Sequence, residues 1–206
     1  MSAANRFRVA GLVSGILFLA GYCIVIVVPG GGEVTEKTIA DFYASDGKGT
    51  LAYLLSVVLA AGSLSVVWFF HELRARLPES MLSTMAGSAV SFGAALIAAG
   101  GAIMVGPLGV QKASGMPFVG VPVAHAIVQA GLGMIVIGGM GALMVAVVLV
   151  NFAARRASAL PSWATIVGFV VAFVMLGSFI WAPGVVFPLW LIMLGVIGMK
   201  EPTKTA

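Results

Sequence analysis

Residues 41–77, DFYASDGKGTLAYLLSVVLAAGSLSVVWFFHELRARL, decide the fold. A polar segment leads into twenty residues without a charge, 51–70, and these run directly into His71, Glu72, Arg74 and Arg76. As a helix rising 1.5 Å per residue, such a run is about 30 Å long, the thickness of the hydrocarbon core of a bilayer. Trp68, Phe69 and Phe70 stand beside the arginines, where aromatic rings and basic side chains that reach for headgroups are favoured. Trp68, Arg74 and Arg76 therefore read as the interface anchors of a membrane span.

The composition outside this stretch agrees with it. Of the 206 residues 61% are hydrophobic and 9% charged, whereas about a quarter of a soluble domain is charged. The length suits one helical bundle without a second domain. The net charge of +4 is small and the basic residues come in scattered pairs, so nucleic acid is not an expected partner. The single cysteine, Cys23, excludes an intramolecular disulfide framework.

On the N-terminal side, residues 33–50 are the longest polar connection. Ile39, Phe42 and Tyr43 fall at i, i+3 and i+4 within it, so a short amphipathic helix is expected, stopped by Asp46-Gly47-Lys48-Gly49. Asp41, Phe42 and Tyr43 are its candidate outer docking surface, a lid against the bilayer or the bundle mouth. Pro29-Gly30-Gly31-Gly32 separates it from a first span at 9–28, which is too long for the apolar core of a secretory signal. In that span Gly11 and Gly15 form a GxxxG pair suited to close helix approach.

On the C-terminal side, Pro78 breaks the chain before a third span at 81–108. There Gly87, Ser91, Ala95 and Ala99 recur every fourth residue and predict a stripe facing another helix. Residues 106–122, with three prolines, read as a loop. The fourth span, 124–150, carries small residues at Gly131, Gly138, Ala142 and Ala146, and residues 151–162 read as a connection. Pro183-Gly184 divides the remainder into spans at 163–181 and 184–199, because one straight helix over both would be about 57 Å long.

Six spans put Arg6, Arg8, Arg74, Arg76, Arg155, Arg156, Lys200 and Lys204 on one side and Lys37, Lys48 and Lys112 on the other. Eight basic residues against three orient both termini to the cytoplasm. Four of the seven acids, Glu33, Glu36, Asp41 and Asp46, lie in the first outer connection. The expected fold is thus an all-α, polytopic bundle of six transmembrane helices in the cell membrane. With ADFYASDGKGT before the second span, WFFHELRARL closing it, LPSWA opening the fifth and PLW in the sixth, the chain resembles a family of small six-span integral membrane proteins, widespread in actinobacteria and functionally uncharacterised. The resemblance implies a membrane bundle and transfers no catalytic residues.

Little in the sequence supports catalysis. No Asp, Glu, Lys or Arg falls inside a span, which disfavours a proton relay. His71-Glu72 opens like HExxH, but Ala75 stands where the second histidine belongs, so no zinc site is expected. The eleven methionines are dispersed and read as gap-fillers rather than as a soft-metal site. No cofactor is expected. His125 and Gln129, at i and i+4 in the fourth span, are the best polar pair facing the bundle, either as a ligand site or as a packing bond between helices. Two functions fit: a non-catalytic structural or interaction protein that packs through its small-residue stripes with itself or a membrane partner, or a carrier for an apolar or amphipathic small molecule.

Overall fold

A computed structural model describes residues 2–28, 37–38, 41–42, 45–114, 120–177 and 183–198, and among these it is all-helical. In chain order the helices are α1 (Ala3–Tyr22), α2 (Ile24–Val27), α3 (Asp46–Arg74), α4 (Met81–Ser114), α5 (Val121–Gly133), a π-helical turn (Met134–Gly139), α6 (Met140–Arg156), α7 (Ser162–Leu176) and, after a 3-10 turn, α8 (Val186–Ile197). Four stretches are long and apolar enough to cross a membrane: Ala4–Val27, Gly47–Arg74, Met81–Gly106 and Pro122–Arg156. The last two helices, α7 and α8, are apolar but shorter, at 15 and 12 residues.

Helix ends differ from the sequence reading wherever a cap or a tolerated proline outweighs composition. Ser45 accepts the Lys48 N–H at 3.4 Å, so Asp46-Gly47-Lys48-Gly49 is the first turn of α3 and not a stop. Ser2 caps α1 through the Asn5 N–H at 3.3 Å, drawing Arg6 and Arg8 into the helix. The expected loop at 106–122 is helical at both ends. α4 continues through Pro107, which lacks only the N–H that would have bonded Ile103, and Pro122 sits in the first turn of α5, where a missing N–H is harmless. α6 runs on to Arg156 and takes Asn151 with it. It ends in a Schellman pair, Ala159 N–H to Ala154 O at 3.0 Å and Ser158 N–H to Arg155 O at 3.2 Å, with Ser158 in the left-handed region at φ 51°.

The helices close into a circuit in which each packs on its neighbours along the chain: α1 on α3, α3 on α4, α4 on α5 and α6, α6 on α7, α7 on α8, and α8 back on α1. Close backbone approach at glycines is prominent in this packing. A Cβ added to Gly11 would stand 2.7 Å from Cα of Gly195 in α8, and one on Gly15 would meet the Ile192 side chain. The GxxxG pair of the first span is therefore a contact between helices. Large apolar side chains are left on the outside of every long helix, including Leu64 at 71% and Phe173 at 74% exposure.

α4 meets the fourth membrane stretch at two backbone crossings. A Cβ on Gly100 would lie 2.6 Å from the Gly131 carbonyl, and one on Gly93 would lie 2.9 Å from the Gly139 carbonyl. Gly93 and Gly100 are seven apart, Gly131 and Gly139 eight. Seven α-helical residues return to nearly the same face, but eight overshoot it by about 80°. The π turn at Met134–Gly139 lies inside the longer interval and absorbs the extra residue.

The same packing corrects one expectation. Ser91 and Ala95 are exposed, and a Cβ on Gly87 would meet nothing nearer than Arg74 Nη1 at 3.9 Å, so the middle of the stripe Gly87, Ser91, Ala95, Ala99 faces outward and its ends are half-buried. The buried row is displaced around the helix to Val90, Gly93, Ile97, Gly100 and Met104, because glycine opposite glycine allows closer approach than alanine does. The small residues of the fourth stretch do face inward. Ala146 is fully buried, and a Cβ on Gly138 would lie 2.7 Å from Leu96.

Candidate functional site

Charged side chains gather at one end of the bundle, where α1 begins and α3 and α6 end. Glu72, in the last turn of α3, forms ion pairs with Arg6 of α1 at 3.6 Å and with Arg76 at 3.6 Å. Arg76 also donates to the Glu72 carbonyl at 2.8 Å and lays its guanidinium over the Phe7 ring, 4.7 Å from the centroid. Only 6% of Arg76 is exposed. It is therefore not the snorkelling anchor expected from sequence, since a carboxylate and an aromatic face satisfy it inside the bundle. Trp68, at 38% exposure, and Arg74 do lie at the surface.

From Phe7 an unbroken series of rings leads into the bundle. Phe7 meets Phe69 at 5.1 Å, Phe69 meets Phe70 at 5.7 Å, and Phe70 meets Trp190 at 6.3 Å. Phe187 then lies 6.2 Å from Trp190, Phe18 is 5.4 Å from Phe187, and Tyr22 stacks 6.2 Å from Phe18. Tyr22 closes the far end, where its ring leaves no room for a Cβ on Gly184. Trp190 Nε1 and Asn151 Oδ1 are buried without a hydrogen-bond partner among the described residues. Asn151 donates to the Val147 carbonyl at 2.7 Å and is pressed against Gly168 of α7.

A recess of about 10 Å³ opens beside the charged end, lined by Phe70, Leu73, Arg74, Leu77, Ser83 and Ala86, with Gly87 and Val150. That is room for roughly one water. Arg74 Nη2 reaches Thr84 Oγ1 at 3.4 Å across its rim. The chain matches no family model, no curated protein and no solved structure. The arrangement itself has to carry the reading.

The other residues singled out in the sequence are dispersed. His125 and Gln129 bond each other at 3.5 Å along α5, with Gln129 exposed and His125 half-buried, so the pair does not face the core as expected. An α-helical i, i+4 pair can only point one way, and the glycine face of this stretch already occupies the inward side. Phe42 is 2% exposed and belongs to the buried cluster, while Asp41 is exposed. The apolar side of this connection is thus turned into the bundle at that position. Ile39 and Tyr43 lie outside the described residues. Among the described residues no group of three His, Cys, Asp or Glu could hold a metal ion.

Sequence reasoning missed three features of the site. The Glu72–Arg76 pair was legible as i, i+4 opposite charges. Asn151 was legible as the continuation of the buried row Val147, Val150, Ala154. The ring series was not, because its members come from α1, α3 and α8 and no local spacing unites them.

Proposed function

We propose that the chain is a six-span integral protein of the cell membrane, with both termini cytoplasmic, and that its role is structural or interactive rather than catalytic. The observation that carries the membrane reading is the outward display of large apolar side chains on every long helix. The charge distribution supports the orientation, since the end that holds Arg6, Arg74, Arg76, Arg155 and Arg156 is the basic one. α7 and α8 complete the six spans; each is short for a crossing, and neither carries a charged residue. The suspected kinship with small six-span actinobacterial membrane proteins fits the same architecture.

A non-catalytic role is supported by what the interior contains. Several of its polar groups bond the backbone of their own helix, as Ser63 does to Leu59 O at 2.8 Å and Asn151 to Val147 O at 2.7 Å, Ser14 donates across to the Ser65 carbonyl of α3, and rings and glycine crossings fill much of the rest. A carrier needs a chamber, and the recess beside Arg74 has room for roughly one water. The exposed stripe of Ser91 and Ala95 is left available to another membrane helix, from a second copy or a partner.

Reporter fusions after Lys112 and after Ala206 test the topology. The expected outcome is an external reporter at the first and a cytoplasmic one at the second. An external C-terminus would overturn six spans. Purification in mild detergent tests the role: a stoichiometric protein partner or a defined oligomer is expected, and a solute retained in the bundle would favour a carrier instead.

A further inference from the structure

We propose that the rim of the recess beside Arg74 binds the phosphate of an anionic membrane lipid. The inference rests on the reading that this end of the bundle lies at the membrane surface. The arginines there differ in how their charge is met. Arg6 and Arg76 share the Glu72 carboxylate, and Arg76 is buried. Arg74 is exposed, and its only bond among the described residues is the 3.4 Å contact to the Thr84 hydroxyl. Its place in the last turn of α3 suits the helix dipole, but that leaves most of a fork of N–H donors without acceptors. Glu79, in the connection to α4, is exposed and forms no ion pair with it. Arg155 and Arg156 are exposed, form no ion pair among the described residues, and end α6, whose Val150 lines the same recess.

The geometry suits a lipid phosphate in particular. Planar guanidinium donors match phosphate oxygens, and the Thr84 hydroxyl supplies a second donor beside them. The recess is too small to take in a headgroup, which therefore sits on its rim. Deeper in the bundle than that rim the walls turn apolar at Phe70 and Val150, and Met85, one residue inside Thr84, is exposed on α4, as the glycerol and upper acyl region of a lipid requires. Gly87 keeps the wall open, because its missing side chain faces only Arg74 Nη1, at 3.9 Å. Buried donors reserved for a soluble anion would show no such passage from charge to oil.

The test uses the full chain in mild detergent, with phosphatidylglycerol, phosphatidylcholine of the same acyl chains, and glycerol phosphate added in turn. Binding is read by native mass spectrometry and by melting. The expected result is a preference of about fivefold for the anionic lipid over the zwitterionic one, the scale of one basic residue at a membrane surface. Arg74→Gln should abolish that preference, Arg74→Lys should restore part of it, and Lys48→Gln, at the other end of α3, should leave it intact. Should Arg74→Gln fail to fold, Thr84→Val and Gly87→Leu carry the same expectation. An unchanged preference in these variants overturns the proposal. So does saturable glycerol phosphate binding without lipid selectivity, which would mean a small-anion site, or a change of oligomeric mass in Arg74→Gln, which would mean a contact between copies. Alkaline carbonate extraction of the unaltered protein separates the two failures: release from membranes refutes the membrane reading, whereas retention without lipid preference refutes only this site.

Discussion

Arg76 holds its charge at 6% exposure, and the way it does so predicts what its partner is for. Removing one member of a buried ion pair costs more than the pair contributes, because the remaining charge keeps its desolvation without its counterion. Glu72→Gln should therefore destabilise the bundle by about 2–5 kcal/mol, while Arg76→Met, which removes the charge and keeps the packing against Phe7, should cost less. Thermal melting of both variants in detergent checks the order, and an equal loss would mean that the guanidinium matters only as bulk. Ser158 gives a prediction of the opposite sign. It occupies the left-handed cap position where glycine is unstrained, so Ser158→Gly should raise stability by about 0.5–1 kcal/mol in the same assay. At this scale sequence reached the charges but not their partners. Glu72 and Arg76 are neighbours in the chain, whereas Phe7 and Arg6 arrive from a helix more than sixty residues away.

The π turn belongs to the scale of the element. If it exists to reconcile an eight-residue glycine interval with a seven-residue one, then deleting Ile137, an exposed residue within it, should convert the stretch to continuous α-helix and keep both crossings. The deletion should melt within a few degrees of the parent, whereas deleting exposed Ala95, between the two glycines of α4, should unfold it. Equal damage from both would refute the register argument. The stripe on α4 makes a complementary case. Gly93→Leu should prevent folding, because its place is filled by Gly139 O and Leu143, whereas Ala95→Leu should leave the monomer intact and disturb only an association with another helix. Gel filtration of both variants separates the outcomes. Spacing in the sequence located the four stretches that are long and apolar enough to cross a membrane, yet it favoured the wrong face of α4, because a four-residue repeat of small residues ignores which neighbour carries the matching glycine.

In the whole molecule, the order of helices and the break at Pro183-Gly184 were readable from hydropathy and turn residues. The closing of the circuit was not, because nothing in the local pattern of α8 says that Gly195 will meet Gly11. That seam is the point at which the bundle is most exposed to a single change. Gly11→Leu or Gly195→Leu should open it and lower the melting temperature more than Gly47→Leu, at a position with open space around it. Comparable losses in all three would show that α8 is peripheral. The seam also imposes an order on biogenesis. On the membrane reading proposed above, a chain inserted span by span presents the glycine face of α1 first and its cover last, so Gly11 and Gly15 wait for α8 until the end of synthesis. Replacing Gly195 by leucine should then shorten the lifetime of the protein in the cell as well as lower its melting temperature, which pulse-chase labelling would show.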